Sequence, residues 1–269
     1  MIFDTHAHLN FSEFDKDRDD LIKKCFSSGI GMINVGTNFK SSENCIKIAG
    51  EYPETFASIG LHPTNIISVL KNKEDVKTDE GFLEDGFDYE KYKTLAKNKG
   101  VVAIGECGLD YWYRPKGTAK KEQFKEEQRK VFVQQLDLAE ELDLPVIIHC
   151  RLAFDDVFEI LSKRKIKGVL HCFTGTKEEV EKFLSLGLYF GINGIIFKVN
   201  LEEAIKAIPM EKILLETDCP YLSPPMFEER NNPLSLKYVI DEISRIKGIS
   251  AKEIEDITYQ NAKDLFRLS

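Results

Sequence analysis

Eight short runs of β-branched and apolar residues alternate with amphipathic helical patterns along this 269-residue chain. The sequence predicts strands over Ile2–Asp4, Gly31–Val35, Thr55–Ile59, Val101–Gly105, Val146–His149, Gly168–His171, Leu188–Gly191 and Ile213–Glu216. It predicts helices over Asp17–Ser28, Ser41–Glu51, Gln128–Asp143, Ala153–Arg164, Lys177–Ser185, Leu201–Ala207, Leu234–Lys247 and Ala251–Phe266. Such alternation builds right-handed βαβ units and a parallel sheet. Eight units in about 250 residues predict an α/β fold of the TIM-type (β/α)8 barrel class.

The rival architecture is a doubly wound open sheet, which normally carries a glycine-rich phosphate turn after its first strand. Here the first strand is followed by "THAHLNF", which has no such turn. No linker divides residues 1–269, so we expect a single domain. Residues 66–88 are polar, acidic at their end and without clear period, and they predict a loop insertion. Because they follow the third strand, we expect them at the rim that carries the active site of a barrel.

The net charge and the cysteine content limit the kinds of binding site that we expect in this chain. The net charge of −8 and the pI of about 5.3 argue against a broad basic face for nucleic acid. A small phosphate-binding cavity remains open, since bound cations can supply local positive charge. The six cysteines include no CxxC pair, so neither a zinc knuckle nor a disulfide framework is expected. No apolar run approaches the ~18 residues of a membrane span, and residues 1–8 lack a secretory pattern, so cytoplasmic residence is the expectation.

Histidine and carboxylate residues stand at the carboxyl ends of the predicted strands. They are His6 and His8 after strand one, Glu106 after strand four, His149 and His171 at the ends of strands five and six, and Asp218 after strand eight. This is the end of a barrel where active sites lie. Imidazoles and carboxylates are the ligands of Zn²⁺, Mn²⁺ and related ions. Six are too many for one catalytic ion with an open position, so they predict two divalent ions that share a bridging group.

A cysteine follows four of these candidate ligands: Cys107, Cys150, Cys172 and Cys219. Neighbouring residues of a strand point to opposite faces, so these side chains are expected to point outward, beneath the helices. A free cysteine is small and readily buried, which suits that layer.

The motifs together resemble the TatD-type family of metal-dependent deoxyribonucleases, within the amidohydrolase-like barrel enzymes. The matching stretches are "DTHAHL" (4–9), "GLHP" (60–63), "IGECGLDYW" (104–112), "PVIIHCR" (145–151), "HCFTG" (171–175), "LLETDCPYL" (214–222), "RNNP" (230–233) and "NAKDLF" (261–266). The resemblance implies one metal held by His6, His8 and Asp218, a second held by His149 and His171, and a bridging Glu106. The chain departs from the family pattern at Asn232, where an acidic residue is usual, and in the length of residues 66–88.

The resemblance implies hydrolysis of DNA phosphodiester bonds, with 3′-5′ exonuclease-like action on DNA or short nucleic-acid fragments. Asp218 is the candidate general base, since a carboxylate near a water can accept its proton. The candidate substrate contacts lie just beyond the ligands: Arg114 and Arg151 for phosphate, Tyr111, Trp112 and Phe173 for stacking on bases, and His62 for substrate or ligand support.

Two other hypotheses remain open at this stage. The same pair of metals could attack a carbonyl, as in an amide or ester hydrolase such as a D-aminoacyl-tRNA deacylase. Alternatively, the ions could be purely structural, although structural sites are usually coordinatively closed. Nothing in the sequence indicates an obligatory protein partner.

Overall fold

A computed structural model describes residues 1–66, 83–112 and 117–268. It contains one sheet of eight parallel strands. The strands are β1 Ile2–Ala7, β2 Ile30–Val35, β3 Thr55–Ile59, β4 Val101–Asp110, β5 Val146–Arg151, β6 Gly168–Leu170, β7 Tyr189–Ile192 and β8 Ile213–Leu215. Their order in the sheet is their order in the chain. All eight predicted strands are present, and β4 is five residues longer than predicted because it continues to Asp110.

Polar contacts join the first and last strands. The amide of Asp218 donates to the carbonyl of His6 at 2.8 Å, and the amide of His8 donates to the carbonyl of Cys219 at 3.0 Å. Beneath them the buried Asp4 carboxylate accepts from the amide of Thr217 at 3.0 Å and from its hydroxyl at 2.6 Å. The sheet therefore curls into the TIM-type barrel that the sequence predicts.

Helices cover the outside of the strands. They are α1 Arg18–Ser27, α2 Phe39–Glu51, α3 Tyr89–Leu95, α4 Thr118–Leu142, α5 Phe154–Leu161, α6 Lys177–Leu184, α7 Glu202–Ala207, α8 Leu236–Lys247 and α9 Ala251–Phe266. The sequence did not predict α3, and α4 begins ten residues before the predicted Gln128. No helix in the described part of the chain is both long enough and apolar enough to cross a membrane.

The barrel interior has an apolar floor and a polar mouth. Ile147, Val169 and Leu214 belong to a small inner cluster that the end of α9 completes. Two residues further along the chain stand His149 in β5, and His171 and Glu216 directly after β6 and β8. Because side chains two apart on a strand share a face, β5 aims His149 into the mouth, and the ends of β6 and β8 bring His171 and Glu216 together there.

Register shifts in three strand pairs interrupt this alternation, and two of them involve candidate ligands. The strand register shifts between Asp4 and Ala7 in β1 and between Ile104 and Cys107 in β4. Bulges re-aim side chains next to active sites. His6 and Glu106 each lie within such an irregularity, so both candidate ligands leave the regular pleat.

The cysteine prediction holds for three of the four residues. Cys107, Cys150 and Cys219 are buried in the apolar layer between strands and helices. Cys172 is only partly buried, has a positive φ of 46°, and places its Sγ 3.7 Å from Asn193 Oδ1. Cys172 follows the end of β6 at Leu170 and has a left-handed backbone, whereas Cys107 and Cys150 lie inside their strands.

Candidate metal centre

Glu106 lies at the centre of the barrel mouth, with histidines on both of its carboxylate oxygens. Its Oε2 is 3.3 Å from His6 Nε2 and 3.9 Å from His8 Nε2. Its Oε1 is 2.9 Å from His149 Nδ1 and 3.1 Å from His171 Nε2. Each oxygen therefore faces one of the two predicted ligand groups, which is the arrangement that a bridging carboxylate requires.

Burial opposes the charge on Glu106, but the surrounding histidines outweigh it and hold the pKa of this carboxyl well below its usual range. The pKa of the Asp218 carboxyl is also lowered: burial raises it, but the hydrogen bond to His8 and the other imidazoles lower it by more. Both candidate carboxylate ligands are therefore ionised at neutral pH.

The first ligand group brings together two ring nitrogens and a carboxylate. His6 Nε2 is 3.1 Å from His8 Nε2, and Asp218 Oδ1 is 3.7 Å and 3.3 Å from these two atoms, respectively. The other nitrogen of His8, Nδ1, lies 2.9 Å from the carbonyl oxygen of Val35, to which it donates. The ring of Phe11 stacks on His8 with centroids 4.4 Å apart. The backbone contact and the stacking fix the ring so that Nε2 faces the cluster.

In the second group, each histidine has a buried carboxylate behind it. His149 Nε2 is 3.0 Å from Asp110 Oδ2, and His171 Nδ1 is 3.3 Å from Glu216 Oε1. Although burial disfavours the charged ring, hydrogen bonds to Asp110 and Glu106 raise the pKa of His149 to about 9. Carboxylates of this kind orient metal-binding histidines and increase their basicity.

Sequence reasoning missed Asp110 and Glu216, although their spacing carried a signal. Asp110 is four residues beyond Glu106 and Glu216 is two before Asp218, so an even spacing links each to a predicted ligand. Glu216 also explains a glycine on the neighbouring strand. A Cβ at Gly191 would lie 2.1 Å from Glu216 Oε2, so only glycine leaves room for that carboxylate.

His62 differs from the other four histidines of the cluster. Its Nδ1 accepts from the amide of Thr64 at 3.2 Å and lies 2.7 Å from the Thr64 hydroxyl. An amide can only donate, so the proton of the neutral ring sits on Nε2, which is 3.4 Å from Glu106 Oε1. His62 therefore presents an N–H donor to the mouth, whereas a metal ligand needs a lone pair.

The donor atoms of this cluster fit divalent cations. Three groups of three side chains each bring ligand atoms within 4.8 Å of one another: His6, His8 and Glu106; His6, His171 and Asp218; and His62, Glu106 and His149. His6 and His8 point Nε2 atoms at each other, and two such atoms can share one proton or one cation. Four imidazoles and two carboxylates suit Zn²⁺ and related ions.

Comparison with known proteins gives the family. The sequence model described as "TatD related DNase" matches residues 3–267. The chain belongs to this family. It is 36% identical, over the full length of both chains, to the 3'-5' ssDNA/RNA exonuclease TatD of Escherichia fergusonii. It is 35% identical, again over both full lengths, to the metal-dependent hydrolase YabD of Bacillus subtilis, which is described as uncharacterized.

Solved structures of this family share the fold. The TatD homolog YJJV of Escherichia coli K12 superposes with a TM-score of 0.83 at 27% identity and covers 100% of this chain and 98% of its own. The TatD family hydrolase of Entamoeba histolytica gives 0.82 at 25% identity and covers 98% of this chain and 97% of its own. The family resemblance that the motifs indicate is thereby confirmed.

In this TatD-family chain, the mouth opens into a cavity of about 340 Å³. Its lining includes the candidate ligands His8, Glu106, His149, His171 and Asp218, and also His62, Thr64, Asn65, Arg151 and Tyr221. Arg151 is thus the predicted phosphate contact that the structure brings to the cavity. Arg114 lies outside the described residues.

The predicted stacking aromatics divide into buried and exposed rings. Phe173 is 2% exposed and packs edge-on against Phe190. Tyr111 is 4% exposed, and its hydroxyl donates to Asp156 at 2.5 Å. Neither lines the cavity, so the structure gives both rings a packing role and leaves no free face for a base. Trp112 is the exception, because it is 58% exposed.

Asn232, where the TatD-family pattern usually has an acid, caps a helical turn. Its side chain accepts from the amide of Leu234 at 3.1 Å and donates to the carbonyl of Arg230 at 3.0 Å. It is 4% exposed and does not line the cavity. The departure at this position therefore affects the loop after β8 rather than the metal centre.

Proposed function

We propose that the protein is a metal-dependent phosphodiesterase that degrades nucleic acid from a 3′ end, with DNA as a substrate. The observation that carries the proposal is Glu106, whose two oxygens each face one group of imidazoles in the mouth of a TatD-family barrel. Two divalent ions are the proposed cofactors: His6, His8 and Asp218 would hold one, His149 and His171 would hold the other, and Glu106 would contribute to both. Relatives named as ssDNA/RNA exonucleases support this substrate class.

When bound, two divalent ions neutralise a phosphodiester and lower the pKa of water, which is the chemistry of binuclear phosphatases and nucleases. The side chains supply the rest. Asp218, ionised and at the edge of the cavity, accepts a proton from the attacking water. His62 donates a hydrogen bond from Nε2 to a phosphate oxygen, because Thr64 fixes that tautomer. Arg151 pairs with a phosphate as a planar donor.

Residues 66–88 are proposed to shape access to this site. Residues 67–82 lie outside the described residues, but both ends of the insertion are anchored at the mouth. Ile66 pairs with Glu84, and the Glu84 amide donates to the carbonyl of Asn65, a cavity-lining residue, at 2.8 Å. The insertion therefore starts and ends beside the cavity.

The test is metal-dependent digestion of end-labelled single- and double-stranded DNA, with metal content measured on the same preparation. We expect loss of 3′ nucleotides with Mg²⁺, Mn²⁺ or Zn²⁺, no cutting of a circular duplex, and no activity in Glu106→Gln. A parallel panel of amide and ester substrates, including a D-aminoacyl-tRNA, separates the alternative hydrolase. Preferential cleavage of that panel, or DNA digestion that survives in Glu106→Gln, would overturn the proposal.

A further inference from the structure

The rim of the cavity carries one exposed aromatic ring. Among the described residues, Trp112 is the only aromatic side chain more than half exposed, at 58%. The indole lies against the guanidinium of Arg151, whose Cζ is 4.6 Å from the ring centroid. Arg151 in turn lines the cavity. A cation and an exposed aromatic ring thus lie side by side, next to the cavity that contains the candidate metal centre.

The backbone of Trp112 is anchored by Asp110, which also contacts the candidate ligand His149. Its amide donates to Asp110 Oδ1 at 2.8 Å, and the other oxygen of Asp110 is 3.0 Å from His149 Nε2. The backbone of Asp110 is itself clamped by Gln128, which donates to its carbonyl at 3.0 Å and accepts from its amide at 2.8 Å. The ring therefore starts from a rigid strand end and is connected to a candidate ligand through one carboxylate.

Strand pairing fixes the position of Arg151 relative to Trp112. Asp110 pairs with Arg151 across β4 and β5, and the amide of Tyr111 donates to the carbonyl of Arg151 at 2.9 Å. Binding groups on rigid elements lose little entropy when a ligand arrives. Exposure of an apolar ring to water is unfavourable, so an exposed indole on an anchored backbone and beside a cation is suited to a flat ligand that carries a phosphate.

We propose that Trp112 and Arg151 form a stacking platform for one unpaired nucleobase of a single-stranded nucleic acid. The proposal rests on the proposed function: a phosphodiester lies at the metal centre, Arg151 contacts a neighbouring phosphate, and the adjoining base stacks on the exposed indole face. Aromatic stacking of this kind accepts any base, since every base has a π face. A base that remains paired in a duplex cannot reach the platform in the same way.

The first test compares an oligonucleotide with its abasic counterpart. Trp112→Leu should raise KM for single-stranded (dT)6 about 5- to 150-fold, the range for loss of one stacked base. KM for an abasic hexanucleotide of equal charge should change much less, because that substrate has no base to stack. Trp112→Phe should restore most of the oligonucleotide affinity. The matched control is Tyr189→Leu, which removes a ring that lies 4.2 Å from the Lys212 ammonium at the opposite end of the barrel.

The second test uses the fact that Trp112 is the only tryptophan of the chain. A phosphorothioate-linked (dT)4 should quench the intrinsic fluorescence of the metal-loaded protein, whereas an abasic tetranucleotide of equal charge should not. Equal quenching by both, or an unchanged KM in Trp112→Leu, would overturn the platform. Failure of the metal-loaded wild type to hydrolyse even bis(4-nitrophenyl) phosphate would instead contradict the proposed function. The fluorescence titration does not depend on turnover, so it would still test the platform.

Discussion

The two carboxylates behind the second ligand group should respond differently to neutral replacement. Each carboxylate oxygen of Asp110 has a different polar contact: Oδ1 accepts from the Trp112 amide at 2.8 Å and Oδ2 lies 3.0 Å from His149 Nε2. In Asp110→Asn, the amide oxygen is needed by Trp112, so the NH₂ group faces His149. That group can only donate, so His149 Nε2 must accept and the ring proton moves to Nδ1, the atom that faces Glu106.

Glu216 makes all its contacts through one oxygen. Its Oε1 accepts from the Cys172 amide at 2.7 Å and from Asn193 Nδ2 at 2.8 Å, and it lies 3.3 Å from His171 Nδ1. In Glu216→Gln, the amide oxygen can keep this position beside the Cys172 amide and Asn193, so only the negative charge near His171 is lost. The two variants therefore separate the placement of a proton from the loss of a charge.

The structure sets the size of the expected effect. In Asp110→Asn, the introduced side-chain amide could rotate to save the His149 tautomer, but its NH₂ would then face the Trp112 amide. Leaving that donor unpaired costs about 1–3 kcal/mol, which limits the loss of metal affinity to about 5- to 150-fold. Loss of a carboxylate behind a metal-binding histidine typically costs about 10- to 100-fold. We expect Asp110→Asn to fall in this range and Glu216→Gln to lose tenfold or less.

The assay is competitive titration of Zn²⁺ against a chelator, with bound ions counted after dialysis. The wild type and Glu216→Gln should retain two ions per chain at a chelator concentration that leaves Asp110→Asn with one. Activity of Asp110→Asn should recover at saturating metal, which a general folding defect would not allow. If Glu216→Gln weakens binding as much as Asp110→Asn, charge rather than proton placement governs the site, and the reasoning is refuted.

Three further outcomes are expected. His62→Ala should keep both ions and lower kcat about 10- to 150-fold, the range for loss of one hydrogen bond to a charged group; loss of an ion, measured by elemental analysis, would assign His62 as a ligand instead. Arg151→Lys should raise KM for oligonucleotides more than it lowers kcat, because a planar donor becomes a point charge; steady-state kinetics that show only a kcat effect would contradict phosphate binding. Thr217→Val removes the 2.6 Å hydrogen bond to buried Asp4 and should lower the free energy of unfolding, measured by urea titration, by about 1.5–3 kcal/mol. An unchanged urea midpoint would show that this contact does not hold β1 and β8 together.

The barrel could be predicted because its strands and helices leave periodic patterns of apolar residues in the sequence. Runs of β-branched residues marked all eight strands, and the candidate ligands His6 and His8 were expected at the carboxyl end of the first strand, where the structure places them. The exact strand ends were harder to predict. β4 continues through Asp110, which pairs with Arg151 of β5 and whose backbone amide and carbonyl bind Gln128 of α4. A contact between residues 18 apart in sequence leaves no local pattern.

The residues that surround the candidate ligands show the limit of prediction from the sequence. Tyr111 and Trp112 are adjacent aromatics after one strand, yet one is 4% and the other 58% exposed. Their difference depends on α4 and α5, because Asp156 binds the Tyr111 hydroxyl while Lys125 lies 4.7 Å from its ring. The same limit applies to Asp110, whose importance lies in which atom of His149 it contacts. Residue type and spacing identify the atoms that can bind a cation, but the orientation of each ring is set by distant partners, and that orientation decides which nitrogen is available.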